Sequence, residues 1–233
     1  LLEIKDYIDK NSVTMENELR NYLTKTVYPS NIDRISFVHS LGVTVCPYCN
    51  RNYINSSEEK TSAQFDHFIN KSSYPILSVS FYNLVPVCSS CNHAKKMENF
   101  SYSPYDDSVT TDQLIKFSFD LVGPNYLNNT KDIKVKLKLG VSRKLQSNID
   151  NLKLQELYQL HSDNVQELLI KKEIYTDEYQ DQLWSEFRDL FGSRENLQRA
   201  ITANYSNPEE YGKRPLSKMM ADISKELGII KDA

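Results

Sequence analysis

Four cysteines fall into two matched pairs, Cys46-Pro47-Tyr48-Cys49 and Cys88-Ser89-Ser90-Cys91. A Cys-x-x-Cys turn lets two thiolates reach one ion at about 2.3 Å, and two such turns complete a tetrahedron. A closed four-thiolate shell leaves no position for water or substrate, so its metal, Zn2+ before iron, is expected to be structural. Buried free thiols or a redox pair are the competing readings, and neither accounts for two matched spacings. The 38 residues between the pairs are polar and loop-like, and a module of about 60 residues rarely stabilises itself by core burial alone. The metal is expected to join its ends.

A second set of reactive groups lies inside and just beyond the pairs: Gln64-Phe65-Asp66-His67-Phe68, then Tyr82-Asn83-Leu84-Val85-Pro86-Val87, then Asn92-His93-Ala94-Lys95-Lys96. A histidine at a strand end can act as general base, because its ordinary pKa near 6.5 lies close to working pH. Asp and Asn oxygens suit a hard cation that keeps water and phosphate in its other positions. Together these groups have the layout of metal-assisted phosphodiester hydrolysis. Neighbours on an extended strand point to opposite faces, so Asp66 and His67 meet one phosphate only if the backbone turns there. Taken singly, each has an ordinary structural role: a hydrogen-bonded core histidine, a turn former at Asn83 and a helix cap at Asn92.

The elements that must position these groups can be read from periodicity. Residues 1–40 read as helical, with Ile4, Tyr7 and Ile8 on one face, Thr14 able to cap a turn carrying Leu19, Tyr22 and Leu23, and Pro29 ending it. Around the reactive groups we expect a strand ending near His67, a long loop through Tyr74-Pro75, an edge strand at Val85–Val87 that can tolerate Pro86, and a helix from about Cys91. That helix's amino terminus would face phosphate, with Arg51, Lys71, Lys95 and Lys96 adding positive charge. Lys116–Leu121 and Ile133–Leu139 alternate with period two and predict a hairpin. Val165 to Phe191 keeps a helical period and reads as one long amphipathic helix. Shorter helices follow, the last opened by Pro215 and closed at Gly228. The expected fold class is α+β: an N-terminal helical segment (1–40), the cysteine-bounded module (41–105), and a hairpin plus helical region (106–233).

The segment from Cys46 to about Lys96 resembles HNH endonucleases, ββα-metal nucleases framed by a zinc knuckle. The resemblance implies that His67 activates water as general base and that Asp66 and Asn92 hold a catalytic Mg2+ or Mn2+. It gives Asn83, nine residues before Asn92, the task of holding the loop that orients the base. With Asn rather than His at the third position the chain resembles an HNN variant, and His93, one residue late, becomes a phosphate contact or an inert surface group. The tail Lys213-Arg214-Pro215-Leu216-Ser217-Lys218 with Asp222-Ile223 is also similar to bacterial HNH proteins of antiphage defence loci, including Septu-type subunits, which implies an ATPase or sensor partner.

Net charge is −3, so nucleic-acid binding must be local rather than a bulk electrostatic coat. Residues 131–144 carry a net +5, with Lys134, Lys136 and Lys138 on one strand face, whereas residues 150–192 carry −6. The lysine ridge could follow a DNA backbone or could protect an edge strand from aggregation, and both readings stand. Four cysteines without an export signal or membrane span predict a cytoplasmic, reducing environment. The opening Leu1-Leu2-Glu3 suggests a chain that begins inside a longer reading frame. The expected function is divalent-metal-dependent endonuclease action, with DNA the expected substrate; the alternative is a non-catalytic zinc-dependent module that binds nucleic acid or protein.

Overall fold

Among the described residues, 1–98 and 100–231 of the computed structural model, two short antiparallel sheets, each of two strands, are set among thirteen α-helices. The chain divides into two units, Leu1–Asp107 and Ser108–Ala233. The helical amino-terminal segment and the cysteine-bounded module therefore share one unit. Among the described residues, no helix is long and apolar enough to cross a membrane.

In the first unit, α1 (Leu2–Lys10) and α2 (Asn17–Asn21) lead into a π-type turn (Tyr22–Val27), α3 (Tyr28–Asn31) and α4 (Arg34–Leu41). Thr14 does not cap this run: α2 has Glu16 at its N-cap, and Leu19 and Tyr22 on its expected apolar side are exposed. Pro29 does not end it either. It is the second residue of α3, which continues the π-type turn without a break, so the helical run passes through it to Asn31. Asp33 caps α4 by accepting from the Ile35 and Ser36 amides, and Gly42 ends it at φ +61. Strand β1 (Gln64–His67) pairs antiparallel with β2 (Leu84–Val87), Asp66 opposite Val85 and His67 opposite Leu84. Pro86 fits because a two-stranded sheet is all edge. Helix α5 (Ser89–Lys95) follows and packs on β1. Phe65, Phe68, Ile69, Leu84, Val85 and Val87 are buried in and around this sheet.

In the second unit, α6 (Thr111–Leu114), opened by a Thr110/Gln113 capping box, feeds β3 (Ile115–Leu121), which pairs with β4 (Ile133–Leu139) as the alternation predicts. After β4, Gly140 runs so close to the chain that a Cβ would stand 2.0 Å from the Gln113 carbonyl oxygen. Phe117, Ile133 and Val135 point into a core shared with Tyr158, Val165, Leu168, Met219 and Ile223. The helices are α7 (Gln146–Leu152), α8 (Leu154–Gln159), α9 (Ser162–Ile174), α10 (Asp177–Glu186), α11 (Arg188–Phe191), α12 (Arg194–Thr202) and α13 (Ser217–Glu226). The expected single helix from Val165 to Phe191 is thus three helices. Thr176 caps α10 by accepting from the Tyr179 amide, and Asp177 and Glu178 sit in its first turn, so a strong start signal interrupts an unbroken apolar period.

Candidate active site and metal centre

The four cysteines converge. Their Sγ atoms lie within 4.8 Å of one another, all four are buried, and none is in a disulfide. Thiolates at about 2.3 Å from one tetrahedral ion stand ~3.8 Å apart, and Cys49 Sγ is 4.0 Å from Cys88 Sγ. The Arg51 amide points at Cys49 Sγ (3.4 Å) and the Asn52 side-chain amide at Cys88 Sγ (3.3 Å), donors suited to sulfur bearing negative charge. Hydrogen bonds with Cys46, Cys49 and Cys91 hold the Cys88 thiol far below its ordinary pKa, and those with Cys46, Cys49 and Cys88 push Cys91 far above it. This donor set fits a soft or borderline cation such as Zn2+. Cys88 is the N-cap of α5 and Cys91 lies in its first turn, so the amino end of that helix is taken up by the cysteine cluster, where the sequence predicts a phosphate.

Asp66 and His67 sit on opposite sides of β1, whose pairing with β2 keeps the backbone extended through both. On the first side, the Asp66 carboxylate is 4% exposed. It accepts from the Tyr48 hydroxyl (2.6 Å) and from Lys95 Nζ at 3.2 and 3.1 Å. Lys95 also donates to the His67 carbonyl (2.9 Å) and faces the Phe100 ring. Burial pushes the Asp66 carboxyl up, while Lys95 and Tyr48 pull it down. Lys95, expected to reach nucleic acid, is instead fully buried: it faces the same side of α5 as Asn92, three residues earlier, and that side lies on β1. Asn92 donates to the Gln64 side chain (2.8 Å), two residues before Asp66 on the same strand face. Asp66 and Asn92 are thus both at the β1–α5 contact, each engaged by another partner.

On the opposite side, His67 Nε2 is 3.0 Å from the Ser78 carbonyl oxygen and its ring meets the edge of Tyr28 at 4.7 Å. A carbonyl only accepts, so Nε2 carries the proton and Nδ1 keeps its lone pair whenever the ring is neutral. Burial, with smaller contributions from Lys71 and Lys95, lowers His67 to about 4, so the ring is neutral near pH 7. Lys71 lies over the same Tyr28 ring at 4.5 Å. Burial and then the charge of Arg34 lower its pKa.

Asn83 ties this side together. It is fully buried; Oδ1 accepts from the Ile69 amide (2.7 Å), and Nδ2 donates to the Ile69 (3.0 Å) and Leu77 (2.9 Å) carbonyls. Leu77 adjoins Ser78, whose carbonyl is the partner of His67 Nε2, so Asn83 fixes the backbone beside that contact. Asn83→Ala removes three buried hydrogen bonds and should lower stability by about 3 kcal/mol in denaturant unfolding of the metal-loaded protein. Asn83→Asp should cost at least as much, because a carboxylate would face two carbonyl oxygens.

The remaining expected contacts stand apart. His93 is exposed and bonded within α5 to the Ser89 carbonyl (2.7 Å), Lys96 is exposed at the end of α5, and Arg51 is half-buried beside the cysteines. Sequence reasoning missed Tyr48, Tyr28, Arg34 and Ser78. Only Tyr48 had a visible cue, its place inside the first cysteine turn.

Residues 46–98 match the HNH endonuclease family, a minority of the chain. No curated protein and no solved structure matches it. The chain thus carries an HNH-family domain that contains a four-cysteine cluster able to bind a metal.

Proposed function

We propose that the chain acts on nucleic acid through a zinc-stapled ββα-metal module of the HNH kind, as a divalent-metal-dependent phosphodiesterase with DNA as substrate. The observation that carries this reading is the coincidence of the family match with the Asn83 clamp, which holds the Ser78 carbonyl against His67 and leaves Nδ1 free to take a proton from water. Lys71 and Arg34 beside Tyr28 supply positive charge on the imidazole's side. Asp66 and Asn92 offer hard oxygen ligands, and a divalent ion held there would stabilise charge on the phosphate and the leaving oxygen. A bacterial defence role, a cytoplasmic site of action and an ATPase or sensor partner extend the same proposal by resemblance alone.

The second reading is a non-catalytic zinc-dependent module that binds nucleic acid or protein. The side-chain contacts favour it directly: Lys95 and Tyr48 already satisfy Asp66, and β1 holds Asp66 and His67 on opposite sides. Hydrolysis therefore demands that Lys95 yield the carboxylate and that the end of β1 turn.

Purified chain with Mg2+ or Mn2+, offered DNA and RNA, separates the two. The first reading expects DNA cleavage that falls at least a hundredfold in His67→Ala, with zinc content and melting temperature retained. Undiminished cleavage in that folded variant would remove His67 from the base role.

A further inference from the structure

The lysine ridge on the β3–β4 hairpin has two explanations from sequence, edge protection and polyanion binding, and the structure removes the need for the first. The outer edge of β4 is already occupied. Gln155 Oε1 accepts from the Leu137 amide (2.9 Å) and its Nε2 donates to the Val135 carbonyl (2.8 Å). Gln159 does the same for the Val135 amide (2.9 Å) and the Ile133 carbonyl (2.9 Å). Two α8 glutamines thus mimic a third strand. On the outer edge of β3, Asp222 of α13 accepts from the Phe117 amide (2.8 Å). A hairpin blocked on both edges does not need lysines to repel a further strand.

Two of the lysines also stand where they weaken the fold, whereas Lys134 faces Asp120 across the ladder. Lys116 and Lys138 are directly opposed across the ladder, and like charges in that position are destabilising. Lys116, Lys134 and Lys138 are exposed, and among the described residues none meets a carboxylate at ion-pair distance. Lys136 is paired with Asp120. Lys116 and Lys138 also line a cleft of about 630 Å³ together with Lys225. The carboxylates around it are committed: Asp112 and Asp222 to the buried Lys218, Glu226 to the Ser118 hydroxyl.

We infer that this hairpin face, centred on Lys116, Lys134 and Lys138, is a second docking surface that binds the phosphate backbone of nucleic acid. Successive lysines on one strand face are about 7 Å apart, and a row of that kind neutralises several phosphates with no base readout. The inference deepens the proposed function and rests on its claim that the chain engages nucleic acid, though not on hydrolysis.

The test is anisotropy of a labelled DNA duplex with the full zinc-loaded chain in a His67→Ala background, without added divalent ion, across a salt series. Lys116→Gln/Lys134→Gln/Lys138→Gln should weaken binding at least tenfold at low salt and reduce the slope of log K against log[salt] by about 2 to 3. Lys10→Gln/Lys25→Gln/Lys60→Gln, an equal change of net charge at exposed sites in the other unit, should change neither and should melt like the parent, and the hairpin variant, relieved of the Lys116–Lys138 opposition, should melt no lower. Equal losses in the two triple variants, unchanged affinity and slope in the hairpin variant, or a parent that binds no DNA would each overturn the inference. Cleavage is scored separately in chains that keep His67. Lysine-dependent binding without cleavage retires only the hydrolase reading, and cleavage with hairpin-independent binding retires only the docking surface.

Discussion

Removing metal from the cysteine cluster is expected to unfold residues 46–98 outright. The β1–β2 ladder has four residue pairs, and a two-stranded sheet of that size is marginal in water. Apparent zinc affinities worth about 10–16 kcal/mol equal or exceed the roughly 5–15 kcal/mol that stabilises a whole domain. Four buried thiols crowded within 4.8 Å have no comparable partner once the cation leaves. Chelation, or Cys88→Ser, should therefore abolish hydrogen-exchange protection throughout this segment. The untreated protein should contain one zinc per chain by elemental analysis. Stoichiometric zinc retained in Cys88→Ser, or protection that survives chelation, would show that the four sulfurs do not form one staple.

Lys95→Met is the second large effect. It leaves the Asp66 carboxylate, 5% exposed at its side chain, with Tyr48 alone, and breaking one member of a buried pair costs about 3–5 kcal/mol. For a chain of this size the melting temperature should fall by roughly 10 °C. Asp66→Asn/Lys95→Met should recover most of the loss, because no charge is then stranded. The single variant also reports on the proposed cation site. If Asp66 is a ligand for a divalent ion, millimolar Mn2+ should raise the melting temperature of Lys95→Met by several degrees and that of the double variant by none. Equal Mn2+ shifts in both would place the ion elsewhere and leave Lys95 as the only cation that Asp66 serves.

What could be read beforehand follows from the range of the interaction. The cysteine pairs are local spacings, and the β3 and β4 alternation is a local period, so both were legible. The order Asp66, His67, Asn83, Asn92 was legible by resemblance, and the Asn83 side chain hydrogen-bonds the backbone at Ile69 and Leu77. The fate of Lys95 was not. An Asn92/Lys95 helical spacing shows that two side chains share a face of α5, but not that β1 covers that face. The same blindness applied to Gln155 and Gln159, ordinary polar residues until α8 lies along β4. The division of the expected long helix was different. The Thr176-Asp177-Glu178 start signal was present, and an unbroken apolar period outweighed it. That period carries little burial beyond Leu169, since Tyr179 and Phe187 are exposed.

Asn83 grips Ile69 on one side and Leu77 on the other, so the backbone from 70 to 76 is a bight of chain moored at both ends. Because both moorings come from Asn83, much of the bight's exposed length can change while the carbonyl beside the imidazole keeps its anchor. Doubling such a loop adds only about 0.6 kcal/mol of closure cost, and the contacts forgone, such as Arg20 to the Ser72 carbonyl and Tyr74 to Asp9, are exposed. Apart from Lys71, which lies over the Tyr28 ring, and the buried Pro75, the stretch is accordingly a place where the sequence can diverge while the His67 ring keeps its pose.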